Sequence, residues 1–115
     1  FWASWCGPCR QFTPELVKAY AKLKQGHPEF ELVFFSADRS AGSMRDYMKE
    51  DRMPWPAVNF DQREDNIQSY CGPGIPCLVL VDTHGRVLSD SFEGENYVGP
   101  GKVLNDTFAL LAKGR

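Results

Sequence analysis

Apolar positions along this chain of 115 residues change rhythm several times. From Gly7 to about Gln25, Phe12, Leu16, Ala19, Tyr20 and Leu23 recur every three or four residues, the stripe of an amphipathic helix. Pro14 lies inside that stripe and is expected to remove one backbone hydrogen bond and kink the early turns. Gly26-His27-Pro28 is expected to stop the helix. From Phe30 to Asp38 the rhythm is lost: Leu32, Val33, Phe34 and Phe35 are consecutive, which predicts a central parallel strand buried on both faces. Cys77 to Asp82 (CLVLVD) predicts a second buried strand, with Thr83-His84-Gly85 as a tight turn and Arg86 to Ser89 returning antiparallel. Phe1 to Ser4 (FWAS) reads as the inner end of a further strand, so the chain is expected to start inside its domain.

The remaining segments are shorter. Ser40 is placed to cap a helix through about Glu50 that carries Met44, Tyr47 and Met48. Met53-Pro54-Trp55-Pro56 excludes regular helix, because each proline pushes its predecessor into extended geometry. Asp61 with Glu64 fits a capping box and predicts a helix from Gln62 to Tyr70, ended by Gly72 and Gly74. Asp90 to Gly99 reads as a polar loop. Pro100 then opens a last helix with Val103, Leu104, Phe108, Leu110 and Leu111 on its apolar side. This order predicts one α/β domain over 1–115, with a parallel crossover followed by an antiparallel hairpin.

Charge and composition narrow the function. A formal net charge of -2 supplies no basic field for nucleic acid. No apolar run approaches the roughly 20 residues that span a bilayer, and no secretory leader is visible at Phe1. The four cysteines are too sparse for a disulfide scaffold and do not fix a compartment. They fall in two pairs, Cys6 with Cys9 and Cys71 with Cys77.

Cys6 stands where a strand gives way to a helix, so its sulfur is expected beside the unpaired N–H groups of the first turn, which favour thiolate over thiol. Cys9 follows one turn later on the same side. Pro8 needs no hydrogen-bond partner there and stiffens the ring between the sulfurs. That arrangement makes Cys6 the attacking sulfur and Cys9, more buried, the resolving one. Zinc would need further ligands. Five residues intervene between Cys71 and Cys77, with a proline directly before Cys77, and His27 and His84 belong to a helix end and a turn. A purely structural disulfide across so small a ring gains little loop entropy. Redox exchange is the favoured reading of FWASWCGPCR.

Those ten residues, Pro14 five places after Cys9, and GIPCLVLVD together resemble thioredoxin. FELVFFSADRS, MPWPAV and YCGPGIPCLVLVDTHGRV are similar to the tryparedoxin and nucleoredoxin branch, with its bacterial relatives. The resemblance implies a thioredoxin-like fold with a central mixed four-stranded sheet, ordered 30s strand, N-terminal strand, Cys77 strand, Arg86 strand, and helices on both faces. It implies an exposed nucleophilic Cys6, a resolving Cys9, and a contact surface of Trp5, Gly7, Pro8, Ile75 and Pro76. Pro76 would follow a cis peptide bond and face Cys6, with the Ile75 backbone free to pair with an extended substrate. The activity implied is thiol–disulfide oxidoreduction of protein disulfides in the reducing direction, by a monomer without metal or other cofactor, fed by an upstream thiol donor. The alternative is a redox-sensitive binding module with little turnover. Bacterial relatives suggest the cell envelope, while tryparedoxin and nucleoredoxin suggest cytosol or nucleus.

The sequence departs from this pattern in places. Gly7 replaces the proline of the tryparedoxin motif, and Cys77 stands where threonine is common. Cys71 and Cys77 fit an auxiliary thiol pair or, more plainly, two small buried hydrophobes. Met53 and Trp55 fit either a partner surface or packing. Arg10 fits either thiolate support or a solvated charge, and His84 fits a turn. Asp61, Glu64 and Asp65 are explained by a helix start.

Overall fold

A computed structural model describes residues 1–63 and 65–113. Its sheet is assembled from short backbone pairings. Trp2 pairs in parallel with Ser36, and Phe34 pairs in parallel with Ala57. On the other side, Phe1 and Cys77 exchange backbone hydrogen bonds in both directions, at 2.8 and 3.1 Å, the antiparallel pattern. That segment continues into β1 (Val79–Val81), which pairs antiparallel with β2 (Val87–Asp90). The order across the sheet is therefore the 57 segment, the 34–37 segment, 1–2, β1 and β2. The four expected segments stand in the expected order, with one more at the edge contributed by the stretch after Pro56.

Helix α1 (Gly7–Gly26) runs through Pro14 and ends where His27 donates its N–H to the Leu23 carbonyl at 2.8 Å. Its buried stripe of Cys9, Thr13, Leu16, Ala19, Tyr20 and Leu23 faces the core. Helix α2 (Ala41–Glu50) is capped by Ser40, which accepts from the Ser43 N–H at 3.1 Å, and it buries Met44 and Tyr47. The Tyr47 ring meets Phe34 edge-on at 6.2 Å. Helix α4 (Pro100–Lys113) lies against β1 and β2 and touches α1.

Several expectations are corrected. The predicted helix from Gln62 to Tyr70 is a 3₁₀ turn at Phe60–Gln62 followed by the single turn α3 (Asp65–Gln68). Asn59, not Asp61, caps the first of these by accepting from the Asp61 N–H at 3.1 Å; Glu64 lies outside the described residues. The 30s strand is paired only at 34–37, and Val33 is 58% exposed, so burial on both faces fails there. In β1 and β2, Val81, Val87 and Leu88 are exposed as well. An apolar, β-branched run specifies extended backbone without specifying what covers it. In α4 the buried arc is Pro100, Val103, Leu104 and Thr107, while Phe108 and Leu110 face outward.

The supposed loop of 90–99 holds a second hairpin, β3 (Phe92–Glu93) with β4 (Asn96–Tyr97). Between β1 and β2, Gly85 sits at φ 82°, a conformation that favours glycine, and Asp82 Oδ1 accepts from the N–H groups of His84 and Arg86. His84 is a turn residue.

Candidate active site

The first turn of α1 has N–H groups without helical partners. Cys6 occupies the capping position in extended geometry, and its Sγ accepts from the Cys9 N–H at 3.2 Å. Pro8, inside the turn, has no N–H to satisfy. Cys6 and Cys9 are joined as a disulfide, their Cα atoms 5.2 Å apart. Cys9 is fully buried. Cys6 is 6% exposed, which corrects the expectation of an exposed sulfur. Capping turns the Cys6 side chain over its own helix end, and Trp5, 63% exposed, takes the outward position. The Trp5 indole N–H points to the Ala37 carbonyl at 3.4 Å. Gly7 is exposed, and no atom lies within 4 Å of where a side chain would begin.

Behind the disulfide, the Cys9 carbonyl accepts from Trp2 Nε1 at 3.0 Å and from Thr13 Oγ1 at 2.8 Å. Thr13 also meets Trp2 Nε1 at 2.9 Å and the Tyr47 hydroxyl at 3.2 Å. All four residues are buried, so Cys9 is locked from α1, α2 and the sheet at once. Sequence reasoning gave Thr13 no role. A threonine four residues after Cys9 within an apolar stripe was the available signal, since hydroxyls back-bond to the carbonyl one turn earlier.

Ahead of the disulfide, Asp38 is 3% exposed and gathers the loop. Its Oδ1 accepts from the Ser4 N–H at 3.0 Å and from the Ser4 hydroxyl; its Oδ2 accepts from the Ser36 hydroxyl at 2.9 Å. The Ser4 carbonyl is held from the other side by Arg10 Nε. Arg10 is otherwise engaged with the end of α2: Glu50 at 3.5 Å, Asp51 at 3.8 Å, and the Tyr47 ring 4.8 Å from its guanidinium carbon. Its charge is thus directed to α2 and Ser4 rather than to sulfur. Asp38 and Tyr97, like Thr13, are site-building residues that the sequence reading missed.

The Ile75–Pro76 peptide is cis. Pro76 joins Pro8, Gln11, Phe12, Tyr97 and Pro100 around an open groove of about 310 Å³, which brings the cis-proline and the Cys6–Cys9 turn to one place. Among the described residues, no hydrogen bond engages the Ile75 backbone. Of the expected contact residues, Pro8 and Pro76 share this groove, Gly7 and Ile75 are their neighbours in the chain, and Trp5 precedes Cys6 with its indole turned to Ala37; Cys71 and Cys77 form a separate pair.

Cys71 and Cys77 are free thiols, Cys77 fully buried with its Sγ 3.9 Å from Asp90 Oδ1. Burial, reinforced by the neighbouring Cys77, pushes the Cys71 thiol up to about 11; burial likewise raises Cys77. Both are held as thiols, the opposite of an activated sulfur. Among the described residues, no group of three His, Cys, Asp or Glu side chains is placed to hold a metal ion. Trp55 is buried with its ring 5.7 Å from Tyr20, and Met53 packs on the same core, so both serve packing.

Residues 1–87 match a family model described as thioredoxin-like. The chain belongs to that family. Within the thioredoxin superfamily it falls in the tryparedoxin and nucleoredoxin branch. Nucleoredoxin of Mus musculus is 40% identical over 109 residues, covering 92% of this chain and 23% of that protein. The chain thus spans about a quarter of the length of the curated relatives it matches. Among solved structures, a thiol:disulfide interchange protein from Bacteroides sp. has a TM-score of 0.69 and 28% identity over 93% of this chain and 66% of that one. Tryparedoxin II complexed with glutathionylspermidine has a TM-score of 0.67 and 36% identity over 79% of this chain and 64% of that one. These relationships support a redox function of the thioredoxin type. No helix among the described residues is long and apolar enough to cross a membrane.

Proposed function

We propose that this chain is a thiol–disulfide oxidoreductase acting on protein disulfides through Cys6 and Cys9, in the reducing direction. The observation that carries the reading is the Cys6–Cys9 disulfide at the start of α1, its capping sulfur bonded to a helical N–H and its turn sharing a groove with cis-Pro76. In the reduced chain the Cys6 thiolate attacks one sulfur of a substrate disulfide. The substrate bond breaks, its other sulfur leaves as a thiolate and takes a proton, and a mixed disulfide forms. Cys9, deprotonated, then attacks Cys6 Sγ, re-forming the Cys6–Cys9 disulfide and releasing the second substrate thiol. Two electrons have passed to the substrate, and an upstream thiol donor restores the pair. The free Ile75 backbone supports β-type pairing with an extended substrate segment.

Reduction of insulin disulfides with dithiothreitol as donor tests this. Cys6→Ser is expected to abolish turnover above background, and Cys9→Ser to accumulate a mixed disulfide visible by mass spectrometry. Full turnover in Cys6→Ser would refute the assignment of the attacking sulfur. Oxidation-dependent binding of a partner without measurable turnover would favour a binding module instead.

A further inference from the structure

Cys71 and Cys77 take no part in the proposed reaction, yet their side chains meet. The Cys71 S–H donates to Cys77 Sγ, and the Gly72 N–H donates to the same sulfur. Cys77 in turn points its own S–H at Asp90 Oδ1, 3.9 Å away. A cysteine that serves only as a small hydrophobe leaves its sulfur among carbon atoms; this one has Cys71, Gly72 and Asp90 as polar neighbours.

Both cysteines are anchored where they stand. The Cys71 N–H donates to the Gln68 carbonyl at 2.9 Å, closing the turn after α3, and Cys77 is paired with Phe1 in both directions. The residues between them are strapped down by the hairpin β3–β4, where the sequence promised only a loop. The Phe92 ring lies on Gly72 so closely that a Cβ there would stand 2.3 Å from Cδ2; the same ring would lie 3.7 Å from a Cβ on Gly74. Tyr97 packs on Phe92 at 4.9 Å and donates its hydroxyl to the Pro76 carbonyl at 2.6 Å. The fold itself therefore holds the two sulfurs in contact.

Access to them is unequal. Cys77 is fully buried and Cys71 half-buried, so a reagent in solution reaches Cys71 first and Cys77 only through it. The charged and titratable groups that face the pair are Asp90 on β2, the Tyr97 phenol on β4 and the Phe1 amine. The carboxylate so close to Cys77 disfavours an anionic oxidant, and the half-covered Cys71 disfavours a bulky one.

We infer that Cys71 and Cys77 are a second dithiol–disulfide couple, open to small uncharged disulfides, with Cys71 as the accessible sulfur and Cys77 as the buried one that closes the bond. The inference does not depend on the oxidoreductase reading, which concerns the other pair. Cys71, deprotonated, attacks one sulfur of the reagent; the reagent's disulfide breaks, and its other half leaves as a thiolate that takes up the proton Cys71 gave up. Cys77 then attacks Cys71 Sγ, the mixed disulfide breaks, and the second half leaves with the proton from Cys77. Two protein thiols are oxidised and one small disulfide is reduced to two thiols. The exchange is slow. Burial, reinforced by Cys77, pushes the Cys71 thiol up to about 11, so about one molecule in a thousand carries the thiolate at pH 8. The protonation that shields the pair from alkylation limits this step too, and its rate climbs about tenfold per pH unit below that value.

The test treats the reduced chain with hydroxyethyl disulfide, quenches in acid, unfolds, blocks remaining thiols with N-ethylmaleimide and digests without reduction. Trypsin, cutting after Arg10, Arg63 and Arg86, leaves Cys6 with Cys9 on one peptide and Cys71 with Cys77 on another, and mass spectrometry counts the labels on each. The Cys71–Cys77 peptide is expected to lose both labels together over hours at pH 8, and about tenfold faster at pH 9. Cys77→Ser is expected to stop at a mercaptoethanol adduct on Cys71, and Cys71→Ser to leave Cys77 free. Should either variant fail to fold, the unaltered chain carries the test by itself. A peptide that keeps both labels after a day at pH 9 would overturn the inference, and so would an adduct on Cys77 in Cys71→Ser. A rate that climbs severalfold in urea well below the unfolding transition would overturn it as well, because the reaction would then run through the opened chain.

Discussion

Asp38→Ala asks how strongly the loop before Cys6 is held in place. The carboxylate accepts from the Ser4 N–H, the Ser4 hydroxyl and the Ser36 hydroxyl. Ser36 is fully buried, so its hydroxyl hydrogen would be left without a partner at a cost of about 1–2 kcal/mol. Ser4 is only half-buried; water replaces the lost acceptor, and its two bonds together contribute about 1–2 kcal/mol. Against this, Asp38 has no cation partner among the described residues, so removing a buried carboxylate recovers about 1 kcal/mol of desolvation. The net expectation is a loss of about 2 kcal/mol, equivalent to a fall in Tm of about 7 °C for a chain of this size. Asp38→Asn keeps an acceptor for Ser4 and should lose about half as much. Urea unfolding of both variants with the cysteines oxidised is the assay, read at constant m-value. A loss under about 0.5 kcal/mol in Asp38→Ala, or no difference between the two variants, would refute the claim that this carboxylate organises the loop.

Three further expectations follow from particular contacts. The Tyr20 hydroxyl donates to Glu31 at 2.7 Å; this holds Glu31 below the usual carboxylate range, while burial and the same bond push Tyr20 up to about 12. Glu31 therefore contributes stability that is present above its unfolded pKa and lost as pH falls through its lowered folded value. Tyr20 contributes stability that is present below its unfolded pKa of about 10 and lost as pH rises towards about 12. In Tyr20→Phe, NMR titration should find Glu31 moved back up; an unmoved Glu31 would contradict the assignment. Cys71 and Cys77 should resist iodoacetamide at pH 8 in the native fold and react on unfolding, because burial keeps both protonated; rapid native labelling would count against this. Gly72→Ala drives a Cβ into the Phe92 ring and should destabilise by about 2 kcal/mol, with partial recovery in Gly72→Ala/Phe92→Leu; a neutral Gly72→Ala in chemical denaturation would show that the strap is loose.

Local features of this protein were legible in its sequence. Periodicity located α1 to within a residue at its C-terminus, and the Ser40 cap located α2, because both depend on neighbours a turn apart. Cys6, Gly7, Pro8 and Cys9 were legible for the same reason. Pro76 was found by family resemblance, since the residues around an X–Pro bond do not themselves specify the isomer. What stayed hidden was long-range: Asp38 reaches Ser4 across 34 positions and Tyr97 reaches Pro76 across 21. The hairpin β3–β4 was masked by its polar residues, although Phe92 and Tyr97 flanking Gly94 were a hairpin signal of their own. The 60s helix failed because Asn59 supplied a nearer cap than Asp61.

The commitment of Arg10 to α2 and to the Ser4 carbonyl bears on how this sulfur would behave in different ionic media. With no guanidinium among the described residues turned towards Cys6, a negative charge there would be stabilised by peptide dipoles fixed in the fold, above all the Cys9 N–H. Dissolved ions screen mobile surface charges over about 8–10 Å but cannot neutralise an amide packed against a buried atom. If Cys6 is the attacking sulfur, as proposed, its reactivity is set by the covalent chain itself and should persist in brine as in dilute buffer.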